Sequence, residues 1–252
     1  MSAVLGATFT PADFDALAAR DLSQSVCVVF DILRATTSMI TALDNGASGI
    51  VPVISIEEAL EEKSRRPGAL LAGERHGLRI TAAQSGSVDF DLGNSPREFT
   101  ADVVAQKTII TTTTNGTRAL RACAQSQRVL VASFLNLRAT IDALAKARPT
   151  ELFLVCGGTF DEAAYEDILA AGAVADALWD AFAGAHVTDS AAVARQLYRA
   201  VAGDLLAAMQ SARNGRRLLA DPLLRDDVVF CLRRDTCNFV AELGADGVVR
   251  RV

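Results

Sequence analysis

A three-layer α/β/α fold around a mixed, mostly parallel sheet is the architecture this sequence predicts. Short β-branched or apolar runs alternate with helix-patterned segments over most of the chain, as expected when helices cover both faces of a largely parallel sheet. Several of the apolar runs end in polar loops, and in open α/β sheets the carboxyl ends of the strands are where ligands bind. No linker, repeat or low-complexity block interrupts this pattern. We therefore expect one α/β domain over residues 1–252, or two tightly packed lobes.

Val4–Phe9 reads as a first strand, and Thr10-Pro11 opens a helix over Ala12–Ala19. Val26–Asp31 is an apolar strand that ends in an acid, and the helix Thr37–Asn45 follows it to a stop at Asn45-Gly46. Gly49–Val53 is the next strand, and Ser55 then caps a helix running toward Arg65. Ala69–Ala72 is a strand leading into Gly73-Glu74-Arg75-His76-Gly77. Periodicity fades from Leu78 to Pro96, as in a binding loop. Strands are expected at Thr108–Thr112, Arg128–Ala132 and Leu152–Cys156, with helices at Arg118–Ala124, Leu137–Lys146 and Glu166–Phe182. One or two helices span Ser190–Arg217, ending near Asn214-Gly215. A late strand is expected at Asp227–Leu232, and a hairpin within Phe239–Val252 around Ala245-Asp246-Gly247.

Half of the residues are hydrophobic and the mean hydropathy is +0.25, so a sizeable core is expected. No apolar run reaches membrane-spanning length, and the N-terminal stretch has no basic region followed by an apolar one. The five cysteines have no metal-ligand spacing, which fits buried thiols in a reducing cytoplasm. A formal charge of −5 argues against nucleic acid as the main partner. An anionic substrate then needs local positive charge or a metal. A homodimer is the default expectation for assembly.

The chemistry concentrates in the loops Asp31–Ser38, Gly73–Gly77, Thr111–Thr117 and Gly157–Asp167. They hold the acids Asp31, Glu74, Asp161, Glu162, Glu166 and Asp167, beside Arg34, Arg75 and His76, with Arg118 just after them. Acids, arginines and small hydroxyls together suit a magnesium site for a phosphate ester. Mg²⁺ takes oxygen ligands and keeps waters, so one or two carboxylates plus the substrate phosphate suffice. Arginine forks and backbone N–H groups would hold the developing oxyanion. Each feature also has a plain structural reading: Thr36–Ser38 as a helix cap, Glu166–Asp167 as dipole complements, Cys156 as a buried inert thiol. Neither a Gly-x-x-x-x-Gly-Lys phosphate loop nor a Gly-x-Ser-x-Gly elbow is present.

The phrases FDILRATTSMITAL, GERHGLRI, DFDLGNSPREF, TTTTNGTRAL, ASFLN and VCGGT…YEDILAAGAV occur in this order. The series resembles the 2-phosphosulfolactate phosphatase family over about residues 25–180, and more weakly over Ser211–Asp235. The resemblance implies a Mg²⁺-dependent phosphatase that converts 2-phosphosulfolactate to sulfolactate, a step toward coenzyme M. It points to Asp31, Arg34, Glu74 and Asp167 as catalytic candidates, and to Asp31, Glu74 and Glu166 for the metal. Arg34 and Arg75 are expected to clamp the phosphate and a second anionic group. Thr36, Asn94, Ser95, Thr114, Asn115, Gly116, Thr117, Gly158 and Thr159 complete the expected substrate site. Whether Asp31 acts as nucleophile or ligand stays open, as does the choice between Glu166 and Asp167. Leu33 stands where a haloacid-dehalogenase-type site has a second aspartate, which favours direct attack by water. The chain departs from the family pattern at His76, where glycine is usual, in the loop FDEAAY at 160–165, and in lacking Val-Pro within Thr236–Val240. These departures bear on the substrate more than on the chemistry. The alternative is a non-catalytic binder of phosphorylated or carboxylated metabolites on the same fold. Retention of the acids argues against it.

Overall fold

The structure, a computed structural model, describes residues 3–252; Met1 and Ser2, the start of the N-terminal stretch read for a leader, lie outside them. In chain order the strands are β1 (Val4–Thr8), β2 (Ser25–Phe30), β3 (Gly49–Val53), β4 (Leu70–Arg75), β5 (Leu78–Arg79), β6 (Thr108–Thr112), β7 (Arg128–Ala132), β8 (Glu151–Cys156), β9 (His186–Val187), β10 (Ala241–Leu243) and β11 (Val249–Arg251). They form one mixed sheet in the order β5-β4-β6-β3-β11-β10-β7-β2-β8-β1-β9. Two blocks are parallel within themselves, β4-β6-β3 and β7-β2-β8-β1-β9. The C-terminal hairpin β10–β11 is inserted between them and pairs antiparallel to β7 on one side and β3 on the other.

That insertion positions the site. Crossing β7, β10, β11 and β3 reverses strand direction at each step, so the two blocks run in opposite senses. Their carboxyl ends meet across one cleft: Arg34, just after β2, donates from Nη2 to the carbonyl of Gly77, just after β4, at 2.8 Å.

Alternation along β2 shows why the sheet has a helical layer on each face. Val26, Val28 and Phe30 join one apolar cluster with the helix Tyr165–Leu178, while Cys27 and Val29 join another with Met39, Ile40 and Leu43 of the helix Ala35–Asp44. A smaller cluster, including Val51, Val53, Leu71, Ile110 and Ala59, covers the β3–β6–β4 block. Each fully buried aliphatic or aromatic side chain here contributes roughly 1.5–3 kcal/mol.

Three sequence expectations are corrected. Asp227–Leu232 is not a strand; a helix runs over Arg225–Cys231. Val228 and Cys231 are buried while Val229 is exposed, which is helical spacing that a short apolar run conceals. Asn214-Gly215 does not stop a helix but lies inside Arg213–Ala220. Gly215 is there for close packing, since a Cβ would lie 2.1 Å from the carbonyl oxygen of Met209. The Leu78–Pro96 segment is more ordered than its periodicity implied. It contains β5 and a short helix, Ala82–Ser85, and Leu92 pairs with the β4 backbone through Leu92 N–H to Leu71 O at 3.0 Å.

Candidate active site

Asp31 leaves β2 directly into the cleft. Its carboxylate Oδ1 accepts from the Ala35 amide at 3.2 Å, at the start of the helix Ala35–Asp44. Gly116, the first residue of the helix Gly116–Ala122, lies against this carboxylate, its amide lowers the acid's pKa, and a Cβ on Gly116 would lie 2.8 Å from Oδ2. Only glycine allows that approach. Burial pushes the Asp31 pKa up to about 7; the Ala35 and Gly116 amides oppose the rise, and the Glu74 and Glu166 carboxylates add to it. An acid poised near neutrality in a cleft is suited to hold or release a proton, or to take a cation.

The opposite wall carries Glu74, at the end of β4. Its Oε1 accepts from the amide and hydroxyl of Thr114 at 3.0 and 2.9 Å, and its Oε2 from the Gly77 amide at 2.7 Å. Arg34 reaches along the floor. Its Nη1 meets Asp227 Oδ2 at 2.7 Å in an ion pair whose side chains are only 4% and 0% exposed, so its orientation is fixed. Asp227 also accepts from the Ser95 hydroxyl at 2.7 Å.

The cleft has a volume of about 220 Å³, enough for a small metabolite. Of the expected residues it brings together Asp31, Arg34, Glu74, Asn94, Thr114, Asn115, Gly158 and Thr159. Thr113 and Asn115 each leave a buried side-chain oxygen without a partner. Such atoms cost free energy unless a ligand or solvent satisfies them.

Other expected residues work behind the wall. The Thr36 hydroxyl spans the Asp31 backbone, donating to its carbonyl and accepting from its amide, both at 3.0 Å. Thr117 donates to Thr113 O at 3.0 Å. Asp167 is buried, with Oδ1 accepting from the Ile32 amide at 2.7 Å and Oδ2 from the Gly158 amide at 3.1 Å. It therefore ties the Asp31 loop to the Gly158 loop. Glu166 is 1% exposed; Oε1 accepts from Asn214 Nδ2 at 2.6 Å and Oε2 has no partner. Arg75 is outside the cleft lining, donating to the Glu74 carbonyl at 2.7 Å and the Thr112 hydroxyl at 3.2 Å. Cys156 is fully buried, and burial together with Asp167 and Glu166 pushes its thiol well up, so it is inert.

The structure adds lining residues that the sequence reading did not assign: Arg213, Asn214 and Arg217, with Asp227 behind Arg34. Their signal was the phrase SARNGRRL, which puts Arg213, Asn214 and Arg217 on one helical face. His76 also lines the cleft, and its φ of 57° explains why glycine suits that turn.

A family model described as 2-phosphosulpholactate phosphatase matches residues 13–246. The chain belongs to that family. A relative from Thermotoga petrophila is 38% identical over 216 residues, 86% of this chain and 88% of its own length. One from Caldanaerobacter subterraneus subsp. tengcongensis is 37% identical over 233 residues, 92% of each chain. One from Clostridium acetobutylicum is 33% identical over 222 residues, 88% of this chain and 90% of its own. Each of these carries the name probable 2-phosphosulfolactate phosphatase. Membership in the phosphosulfolactate phosphatase family accounts for a cleft that sets Asp31 and Glu74 among arginines, amides and unsatisfied hydroxyl and amide oxygens.

Among the described residues, no group of three or more His, Cys, Asp or Glu side chains is already gathered to hold a metal ion. The donor set still fits Mg²⁺, which needs only one or two carboxylates beside waters and substrate phosphate. Asp31 and Glu74 both line the cleft, and the Glu74 carboxylate adds to the rise in the Asp31 pKa.

Proposed function

We propose that this protein hydrolyses the phosphate monoester of 2-phosphosulfolactate, giving sulfolactate and inorganic phosphate, in a Mg²⁺-dependent reaction. The observation that carries the reading is Asp31: a buried acid with a pKa of about 7, held by the Ala35 amide, beside Glu74 and Arg34 in the cleft. Asp31 and Glu74 would hold the ion, which supplies charge neutralisation and acidifies water when bound. Arg34 orients the phosphate, since Asp227 and Gly77 fix its guanidinium while leaving other N–H groups free. The unpartnered Thr113 hydroxyl can donate to a phosphate oxygen, and the unpartnered Asn115 amide oxygen can accept from the attacking water. A cytoplasmic location and a homodimer belong to the same reading.

Phosphate release from 2-phosphosulfolactate, 2-phospholactate and related phosphorylated acids, measured with Mg²⁺ and with a chelator, tests it. Metal-dependent turnover of 2-phosphosulfolactate is expected. Binding without turnover of any member would support the metabolite-binder reading instead.

A further inference from the structure

The arginines that line the cleft differ in what compensates them. Arg34 is neutralised by Asp227 at 2.7 Å. Arg213 pairs with Glu162 and donates to the Thr159 carbonyl at 3.1 Å. Arg217 has no ion-pair partner among the described residues; Nη1 makes one long contact, 3.5 Å, to the carbonyl of His76.

Its place is nevertheless built. Asn214, on the same face of the helix Arg213–Ala220, donates to Thr159 Oγ1 and Glu166 Oε1, each at 2.6 Å, which fixes that face against the cleft. Gly77 makes the room: a Cβ there would lie 2.9 Å from Arg217 Nη1. The cleft otherwise presents Asp31 and Glu74, in a chain of net charge −5. A polyanionic ester entering it meets one guanidinium that no carboxylate engages in an ion pair among the described residues, although the buried Glu166 feels its charge. A planar fork with free N–H groups matches a carboxylate or sulfonate in bidentate fashion.

We propose that Arg217 is the specificity-determining residue that binds the substrate's second anionic group, the carboxylate or sulfonate, while Arg34 serves the phosphate. This assignment rests on the phosphatase reading above, and it replaces Arg75, which stands outside the cleft.

The test compares wild type with R217Q and R217K on 2-phosphosulfolactate, on 2-phospholactate, which lacks the sulfonate, and on p-nitrophenyl phosphate, which lacks both acids. In R217Q the loss of kcat/KM on 2-phosphosulfolactate is expected to exceed the loss on p-nitrophenyl phosphate by about tenfold or more, the size of a charge-assisted hydrogen bond. R217K is expected to fall between, because it keeps the charge without the fork. A matching excess loss on 2-phospholactate assigns Arg217 to the carboxylate; loss confined to 2-phosphosulfolactate assigns it to the sulfonate. Arg217 is exposed, so its melting temperature should hold. Equal losses on all esters, or no loss, would overturn the assignment. Should wild type turn over none of them, hydrolysis itself fails, and calorimetry decides Arg217 separately: R217Q must weaken 2-phosphosulfolactate binding more than inorganic phosphate binding, or the assignment falls.

Discussion

The block around β2 and β8 lies between two large apolar clusters, one on each face, whereas the β3–β6–β4 block shares one of these through Ile50, Ala72 and Ile109 and has only the smaller cluster around Val53, Leu71 and Ile110 on its other face. Their acids differ in the same way. Asp31, on the first block, is buried beside other carboxylates, with the Ala35 and Gly116 amides opposing its rise to about pKa 7. Glu74, on the second, receives the Gly77 amide and both the amide and hydroxyl of Thr114. The first block thus supplies a rigid platform with a poised acid, and the second a hydrogen-bonded rim. Arg34 joins them, paired with Asp227 and bonded to Gly77 O. The comparison teaches that one cleft holds its two carboxylates in different ways, Asp31 buried against neighbouring negative charge and Glu74 saturated by hydrogen bonds.

If the poised acid sits on the platform, D31N should have the largest effect on turnover. We expect kcat for 2-phosphosulfolactate to fall by roughly 10²–10⁴-fold, because losing one of the ion's two carboxylates forfeits several kcal/mol of charge stabilisation, while inorganic phosphate still binds as product. Full activity in D31N would place the chemistry on the other block. The bridge between blocks is tested next. D227A leaves the Arg34 charge buried without its partner, at a cost of about 3–5 kcal/mol. The melting temperature should drop by on the order of 10 °C, with KM rising. An unchanged melting curve would show that the blocks hold together without Arg34.

The first block was legible in the sequence because its strands are long, apolar and β-branched, and Asp31 follows β2 at once. Glu74 and the Thr114–Asn115 turn were legible for the same reason, each lying directly at a strand end. The relation between the blocks was not. It depends on β10 and β11, three residues each, whose hairpin the sequence showed but whose insertion at the sheet centre it did not. The C-terminal wall was also hidden. Val228–Cys231 is too short for its period to separate strand from helix, so Asp227 could not be seen facing Arg34 from a distance of 193 residues. Arg75 shows the converse: adjacency to Glu74 in sequence puts its side chain on the other face of the strand.

The charge difference between the blocks also predicts a pH effect. An unfolded aspartate loses its proton near pH 4, whereas folded Asp31 keeps it until about 7. Between these values the unfolded state releases a proton that the folded state retains, so this group lowers stability as pH rises from about 4 to 7, and its effect levels off above. Mg²⁺ binding favours the ionised form and should offset the loss. The Mg²⁺-induced rise in melting temperature is therefore expected to be small at pH 5.5 and several degrees at pH 8. Equal shifts at both pH values would remove Asp31 from the ion's surroundings.

The smallest effect is expected at Arg75, on the rim block but outside the cleft. Its contacts are to neutral acceptors, the Glu74 carbonyl and the Thr112 hydroxyl, and its loss removes about 0.5–1.5 kcal/mol of hydrogen bonding. R75Q should keep kcat/KM within about threefold and lower the melting temperature by a few degrees at most. A tenfold rise in KM with an unchanged melting curve would mean that Arg75 contacts substrate. That requires the β4–β5 turn to reorient as ligand enters, so the rim would then be a moving jaw against the fixed platform, and the Arg34–Gly77 bond the contact that breaks when it moves.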